Sequence, residues 1–268
     1  MDRARQGHSM DGQQKDQSGC AWIIGASSGI GRALALELAR AGRTVVASAR
    51  RADLLETLAC DAEALPGSIH PVPLDITQAK AVASAVVHIE AEIGPVDTAI
   101  LCAGTYVHDR AAAIKAADVK GTMNLNFFGA VQTIEGLLPR MIARRGGRIV
   151  AVASLAGYRG LPHAAAYGAS KAALITFCES LRPELMPSGV VVQVVCPGFV
   201  ETPLTDKNDF PMPALMPADA AARAILRGMR SRRFEIAFPR RLAWPMKLLR
   251  ILPYWAFFAV TRRMVRKT

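Results

Sequence analysis

Short runs of consecutive apolar residues alternate along this chain with longer segments whose apolar positions recur every three or four residues. CAWII at 20–24, TVVAS at 44–48, VDTAILCAG at 96–104, GGRIVAVAS at 146–154 and VVVQVVCPG at 190–198 are of the first kind. Unbroken apolar runs of this length suit strands covered on both faces, as parallel strands are. IHPVPLDIT adds another strand, third in chain order, ending at Asp75. The helical period fills the intervals: RALALELARAG, closed by Gly42, then 51–65, 77–93, most of 111–145, and AALITFCESL after Lys171. Alternating strand and helix patterns predict an α/β fold, a doubly wound parallel sheet between two helical layers, formed as one domain over residues 19–238. Ligands of such sheets bind beyond the carboxyl ends of the strands, so the candidate chemistry is sought there.

Composition narrows the class. With 268 residues, 51% of them hydrophobic, the chain can bury a sizeable core. The five cysteines are odd in number and form no CxxC or Cys/His cluster, which suggests reduced thiols, no structural metal and a cytoplasmic protein. Residues 1–18 carry charges and glutamines where a signal peptide would be apolar, and read as a disordered tail. The net charge of +11 is concentrated at one end: residues 230–268 hold eleven of the 33 basic residues and a single acid, Glu235.

Several strand ends carry recognisable chemistry. GASSGIG follows the first strand and opens a helix; Gly25, Gly29 and Gly31 allow a tight turn and a close backbone approach to a phosphate. At the end of the second strand, where an acid would bind a ribose 2′-hydroxyl, stand Ala49, Arg50 and Arg51. Two arginines suit a 2′-phosphate, favouring NADP over NAD; the alternative is a solvated helix start. Asp75, Ala103 and Gly104 fall at further strand ends, and Asn126 interrupts a helical pattern where it can divert backbone hydrogen bonds and kink the helix. Ser154 ends the fifth strand. Tyr167 and Lys171, four residues apart, share a helix face, where an ammonium would lower the phenol pKa and make Tyr167 a general acid or base. Gly198 opens a proline-rich loop, FVETPLTDKNDFPMPALMP, a candidate lid.

GASSGIG, LDIT, CAG, NFFG, Ser154, YGASK and PGFVET, in this order over roughly residues 20–236, resemble the short-chain dehydrogenase/reductases, single-domain Rossmann-like NAD(P)-dependent oxidoreductases. The resemblance implies that Tyr167 exchanges a proton with a carbonyl or alcohol oxygen, Ser154 polarises that oxygen, Lys171 tunes Tyr167 and bonds the nicotinamide ribose, and Asn126 holds a relay water. It implies further that Gly25, Ser27, Gly29, Ile30 and Gly31 line the phosphate and ribose region, Asp75 and Ile76 the adenine, Ala103 and Gly104 the ribose, and Pro197, Gly198, Val200 and Thr202 the nicotinamide, with Arg50 where NADP-preferring members carry a base. Two positions depart from the family pattern: Ile24 replaces a threonine, and Leu101-Cys102 replace two asparagines. Reduced stability or altered cofactor affinity is expected there, with the catalytic set complete.

The expected activity is hydride transfer between NADP(H) and a carbonyl or secondary alcohol carbon. The apolar 155–163 segment, the proline-rich loop and the apolar tail suggest a lipophilic substrate. The competing readings are an NAD-linked alcohol dehydrogenase and a membrane-associated dinucleotide-binding scaffold with little turnover. The basic, aromatic extension 239–268 has a longest apolar run of ten residues, well short of the roughly 20 that cross a bilayer. It suits an anionic membrane surface at the inner face of a membrane, or else a cover over the cleft or a subunit interface in a homo-oligomer. Nucleic acid is not expected, since prolines and clustered aliphatics interrupt the basic stretch.

Overall fold

The computed structural model describes residues 19–206 and 211–265; the 1–18 tail lies outside them. Seven strands form one parallel sheet: β1 (Cys20–Ile24), β2 (Thr44–Ser48), β3 (Ser68–Pro71), β4 (Val96–Leu101), β5 (Gly147–Val152), β6 (Val190–Pro197) and β7 (Glu235–Phe238). Their order is β3-β2-β1-β4-β5-β6-β7, every neighbouring pair parallel, so the expected doubly wound architecture is found. Successive residues of a strand face opposite sides, and the core divides accordingly. Trp22, Ile24, Ile149, Ala151, Val192 and Val194 join one apolar cluster. Ile23, Val150, Val152 and Val195 join the other.

Helices cover both clusters. α1 (Gly29–Arg40), α2 (Ala52–Cys60) and α7 (Ala218–Met229) close one face. α3 (Ala79–His88), α5 (Gly129–Ala143) and α6 (Ala165–Leu185) close the other, joined there by α8 (Arg240–Ile251) and α9 (Tyr254–Thr261). α4 (Ala116–Met123) runs into α5 through one π turn, Asn124–Phe128.

Several details differ from the sequence expectation. β3 stops at Pro71 rather than reaching Asp75; Pro71 and Pro73 have no N–H for the ladder, and only single bonds from Val72 and Leu74 to the β2 side continue it. α2 ends at Cys60, ahead of the turn containing Pro66 and Gly67, and α3 gives way to a π turn at 89–93. β7, only four residues long, had no apolar run to announce it, and the extension that follows folds into α8 and α9.

Candidate active site

The sheet order reverses between β1 and β4, and a cleft of about 540 Å³ opens at that point, beyond the carboxyl ends of the strands. Every candidate site residue but Asn126 lines it.

At one end the β1–α1 turn packs backbone on backbone. Gly25 (φ 90°) and Gly29 (φ 55°) occupy the left-handed region. A methyl group at Gly31 would stand 2.2 Å from the Gly25 carbonyl oxygen, and one at Gly25 2.6 Å from the Ala103 nitrogen. Ser28 begins α1 without a side-chain cap, so the first N–H groups of the helix, unpaired by geometry, border the cleft at Gly29, Ile30 and Gly31. Ala49, Arg50 and Arg51 form the adjoining wall, and Arg51 Nη2 donates to Ser27 Oγ at 3.1 Å. Asp75 accepts from the Thr77 N–H at 3.0 Å and hydroxyl at 2.8 Å. The backbone bond chiefly holds its carboxyl below the usual range, with the Thr77 hydroxyl and Arg50 contributing.

At the other end β5 delivers Ser154, whose Oγ accepts from the Ala156 N–H at 3.1 Å while its hydroxyl bonds Tyr167. Tyr167 and Lys171 lie together on α6, as their spacing predicted, the ammonium 5.8 Å from the phenol ring centroid. Lys171 Nζ donates to the Val152 carbonyl at 2.9 Å. Burial lowers the ammonium to about pKa 8. Burial also pushes the Tyr167 phenol above its ordinary value, against the Ser154 bond, which favours the phenolate. The expected lowering by Lys171 is therefore not realised: spacing puts the two residues on one face but says nothing of the desolvation both undergo.

Asn126 sits in the π turn, behind the cleft. Its Nδ2 donates to the Thr105 carbonyl and to Ser170 Oγ, both at 2.9 Å, and its Oδ1 accepts from the Thr105 N–H at 2.7 Å. A kink was expected there; the side chain braces the Thr105 backbone against α6. Pro197 ends β6, Gly198, Val200 and Thr202 follow it, and Pro203, Leu204 and Thr205 continue the wall. A bridge between Val200 and Met216 pins the two ends of the expected lid, whose residues 207–210 lie outside the described ones.

Sequence reasoning missed two supports. The Asp109 carboxylate accepts from the Ala165 and Ala166 N–H groups at 2.9 and 2.7 Å, capping α6 in place of its own Ala164, and Tyr106 packs edge-on against Tyr167 with ring centroids 5.3 Å apart. Neither relation has a local signal, because the partners are some sixty residues apart. At the departures from the family pattern, the Gly25 and Ala26 N–H groups donate to the Ser48 carbonyl, the Trp22 indole to Ser48 Oγ, and the Cys102 N–H to the Ile24 carbonyl. Leu155 and Tyr158, two apolar members of the 155–163 segment, are buried in the core rather than in the cleft wall.

A profile of the short chain dehydrogenase family matches residues 19–211. The chain belongs to that family. An uncharacterized oxidoreductase of Myxococcus xanthus is 42% identical over 244 residues, 91% of this chain and 96% of the relative. A 3-oxoacyl-acyl-carrier-protein reductase of Thermotoga maritima is 35% identical, with 69% of this chain and 75% of the relative covered. Among solved structures, a short-chain dehydrogenase from Sphingobium yanoikuyae in complex with NADPH superposes with a TM-score of 0.77 at 25% identity, covering 93% of this chain and 97% of that one. This short-chain dehydrogenase is thus an oxidoreductase of Rossmann-like fold, in a family that acts on small molecules with a nicotinamide nucleotide.

Proposed function

We propose that the protein is an NADP(H)-dependent reductase or dehydrogenase acting on a ketone or secondary alcohol, its substrate lipophilic. The observation that carries the proposal is the two-ended cleft, with Ser154, Tyr167 and Lys171 grouped at one end and Arg50, Arg51 and Ser27 at the other. The glycine cradle that any β-carbon would fill, together with the free N–H groups of α1, fits a pyrophosphate. The paired arginines fit a 2′-phosphate. Similarity to a protein solved with NADPH supports the same cofactor.

When bound, a nicotinamide would supply or accept the hydride. The chain supplies orientation and the proton. Ser154, its oxygen already engaged by the Ala156 N–H, offers its hydroxyl to the substrate oxygen. Tyr167, a phenol kept protonated by burial, gives its proton to that oxygen in reduction. Lys171, held by the Val152 carbonyl and charged below about pH 8, places positive charge beside the emerging phenolate. Asn126 fixes the Thr105 backbone beside Gly104, where the relay water is proposed to sit. Leu125, Val200, Pro203 and Leu204 give the cleft an apolar wall, which supports the lipophilic substrate.

Titration with NADPH and NADH tests the cofactor. Removing both guanidinium groups, Arg50→Ala with Arg51→Ala, should weaken NADPH binding about 10- to 100-fold and leave NADH binding nearly unchanged, since hydrogen bonds to charged groups contribute about 1.5–3 kcal/mol. Equal loss for both cofactors would overturn the 2′-phosphate assignment. Tyr167→Phe should abolish turnover of a ketone panel while NADPH still binds.

A further inference from the structure

The two helices beyond β7 each have an inner and an outer apolar side. α8 buries Ala243, Met246 and Leu249, and sends Trp244, Leu248 and Ile251, at i, i+4 and i+7, to the opposite side. α9 buries Phe257 and Thr261 and exposes Tyr254, Trp255 and Phe258. Trp244 is 70% exposed and Trp255 78%, among the most exposed large apolar side chains of the described residues. The corner between the helices is fixed: Arg159 Nη1 donates to the Arg250 and Leu252 carbonyls, each at 2.7 Å, and its guanidinium lies over the rings of Tyr254 and Phe257. The outward aromatics are thus presented by a held scaffold.

An apolar surface of this kind, bordered by charge, marks an interaction site. Arg240, Arg241, Arg262 and Arg263 border it, all exposed and in no ion pair among the described residues. Glu235, the one acid from residue 230 onward, is already taken by Lys247 and Tyr158. We propose that the outer face of α8 and α9 docks on an anionic phospholipid membrane, its aromatics in the interface and its arginines among the headgroups. A second copy of the chain fits less well, because a two-fold contact would set the same unpaired arginines against each other. The helices lie on the bilayer rather than cross it: they have 12 and 8 residues, and no helix among the described residues is long and apolar enough to span.

The helix that carries this face also backs the cleft with its inner side. A methyl group at Gly198 would stand 2.7 Å from Leu242 Cδ2, so α8 backs the wall assigned to the nicotinamide side. Membrane docking would bring that wall near lipid-dissolved carbonyl compounds. This last step alone rests on the function proposed above; docking itself is read without turnover.

The full chain is mixed with vesicles of phosphatidylcholine alone or with phosphatidylglycerol added, and followed by co-sedimentation and by quenching of tryptophan fluorescence with brominated lipid. Trp22 is wholly buried, so quenching reports on Trp244 and Trp255. Binding is expected to the anionic vesicles, with strong quenching, and to be lost at high salt. Arg262→Gln and Arg263→Gln should each weaken it about fivefold, and Trp255→Ser should remove much of the quenching with the melting temperature unchanged. Failure of the unaltered protein to bind anionic vesicles would overturn the proposal. So would equal binding to pure phosphatidylcholine with the arginine variants unaffected. Lipid-free dimerisation that shields both tryptophans and is abolished by Trp255→Ser would assign the face to a second copy instead.

Discussion

An ammonium buried as deeply as that of Lys171 gives up much of its basicity, and on the mechanism proposed above this sets the pH range in which the site works. Its pKa of about 8 in the fold lies below the ordinary 10.5 it regains on unfolding. Between these values the unfolded chain binds more protons than the native one, so this site's contribution to stability rises with pH across that window. Below about pH 8 the fold carries the full cost of a buried charge. Lys171→Met should therefore stabilise the protein at pH 7, by up to about 3 kcal/mol in urea unfolding, and the advantage should shrink as pH rises from 8 towards 10.5. The same group sets the rate profile: kcat/KM for ketone reduction should fall on the alkaline side with an apparent pKa near 8, because Tyr167, raised by burial, stays protonated there. An alkaline limb at 10 or above would make Tyr167, not Lys171, the titrating group. The Tyr167 and Lys171 pair was legible as two residues on one helix face; their pKa values were not, since desolvation depends on the enclosing walls.

The elements that hold these residues differ in how far the chain announces them. GASSGIG carries its own conformational demand, and the structure meets it with positive φ at Gly25 and Gly29. Gly31→Ala would drive a methyl into the Gly25 carbonyl, whose separation of 2.2 Å no backbone contact tolerates. The turn must then open, and NADPH binding should fall at least tenfold by fluorescence titration. α6 is the opposite case. Its apolar period was visible, but its cap was not, because Asp109 reaches the Ala165 and Ala166 N–H groups from a different part of the chain. Asp109→Ala should cost about 1 kcal/mol of stability, as loss of a helix cap does. It should also lower kcat more than it changes NADPH affinity, because the first turn of α6 carries Tyr167. Asp109→Asn, which keeps an acceptor oxygen, should recover part of both. The π turn at Asn126 was foreseen only as an irregularity; its sense depends on Thr105 and Ser170, neither a sequence neighbour.

At the scale of the whole molecule, the last thirty residues read in sequence as an appendage; in the structure α8 and α9 have an inner and an outer side. Their inner side belongs to the core: Ala243, Met246, Leu249 and Phe257 pack into the cluster that covers β5 and β6. Polar ties add to the packing, from Lys247 to Glu235 and from Arg159 to the end of α8, and the Arg250 guanidinium lies over the Tyr158 ring. Tyr158 and Arg159 follow closely on Ser154, so the extension braces the segment on which the serine depends. A chain ending at Pro239 would uncover that apolar face and strip these partners away. With each fully buried large side chain worth about 1.5–3 kcal/mol, truncation should cost several kcal/mol and yield a protein with a much lower urea midpoint or one that aggregates. Outward substitutions should behave differently: Trp244→Gln with Trp255→Gln alters only exposed positions and should leave the urea midpoint unchanged. A truncated chain as stable as the full one would show that the inner side contributes nothing to the core. A lowered midpoint for the tryptophan pair would show that the outer side is already engaged in holding the fold, and would leave no free face for a membrane to receive.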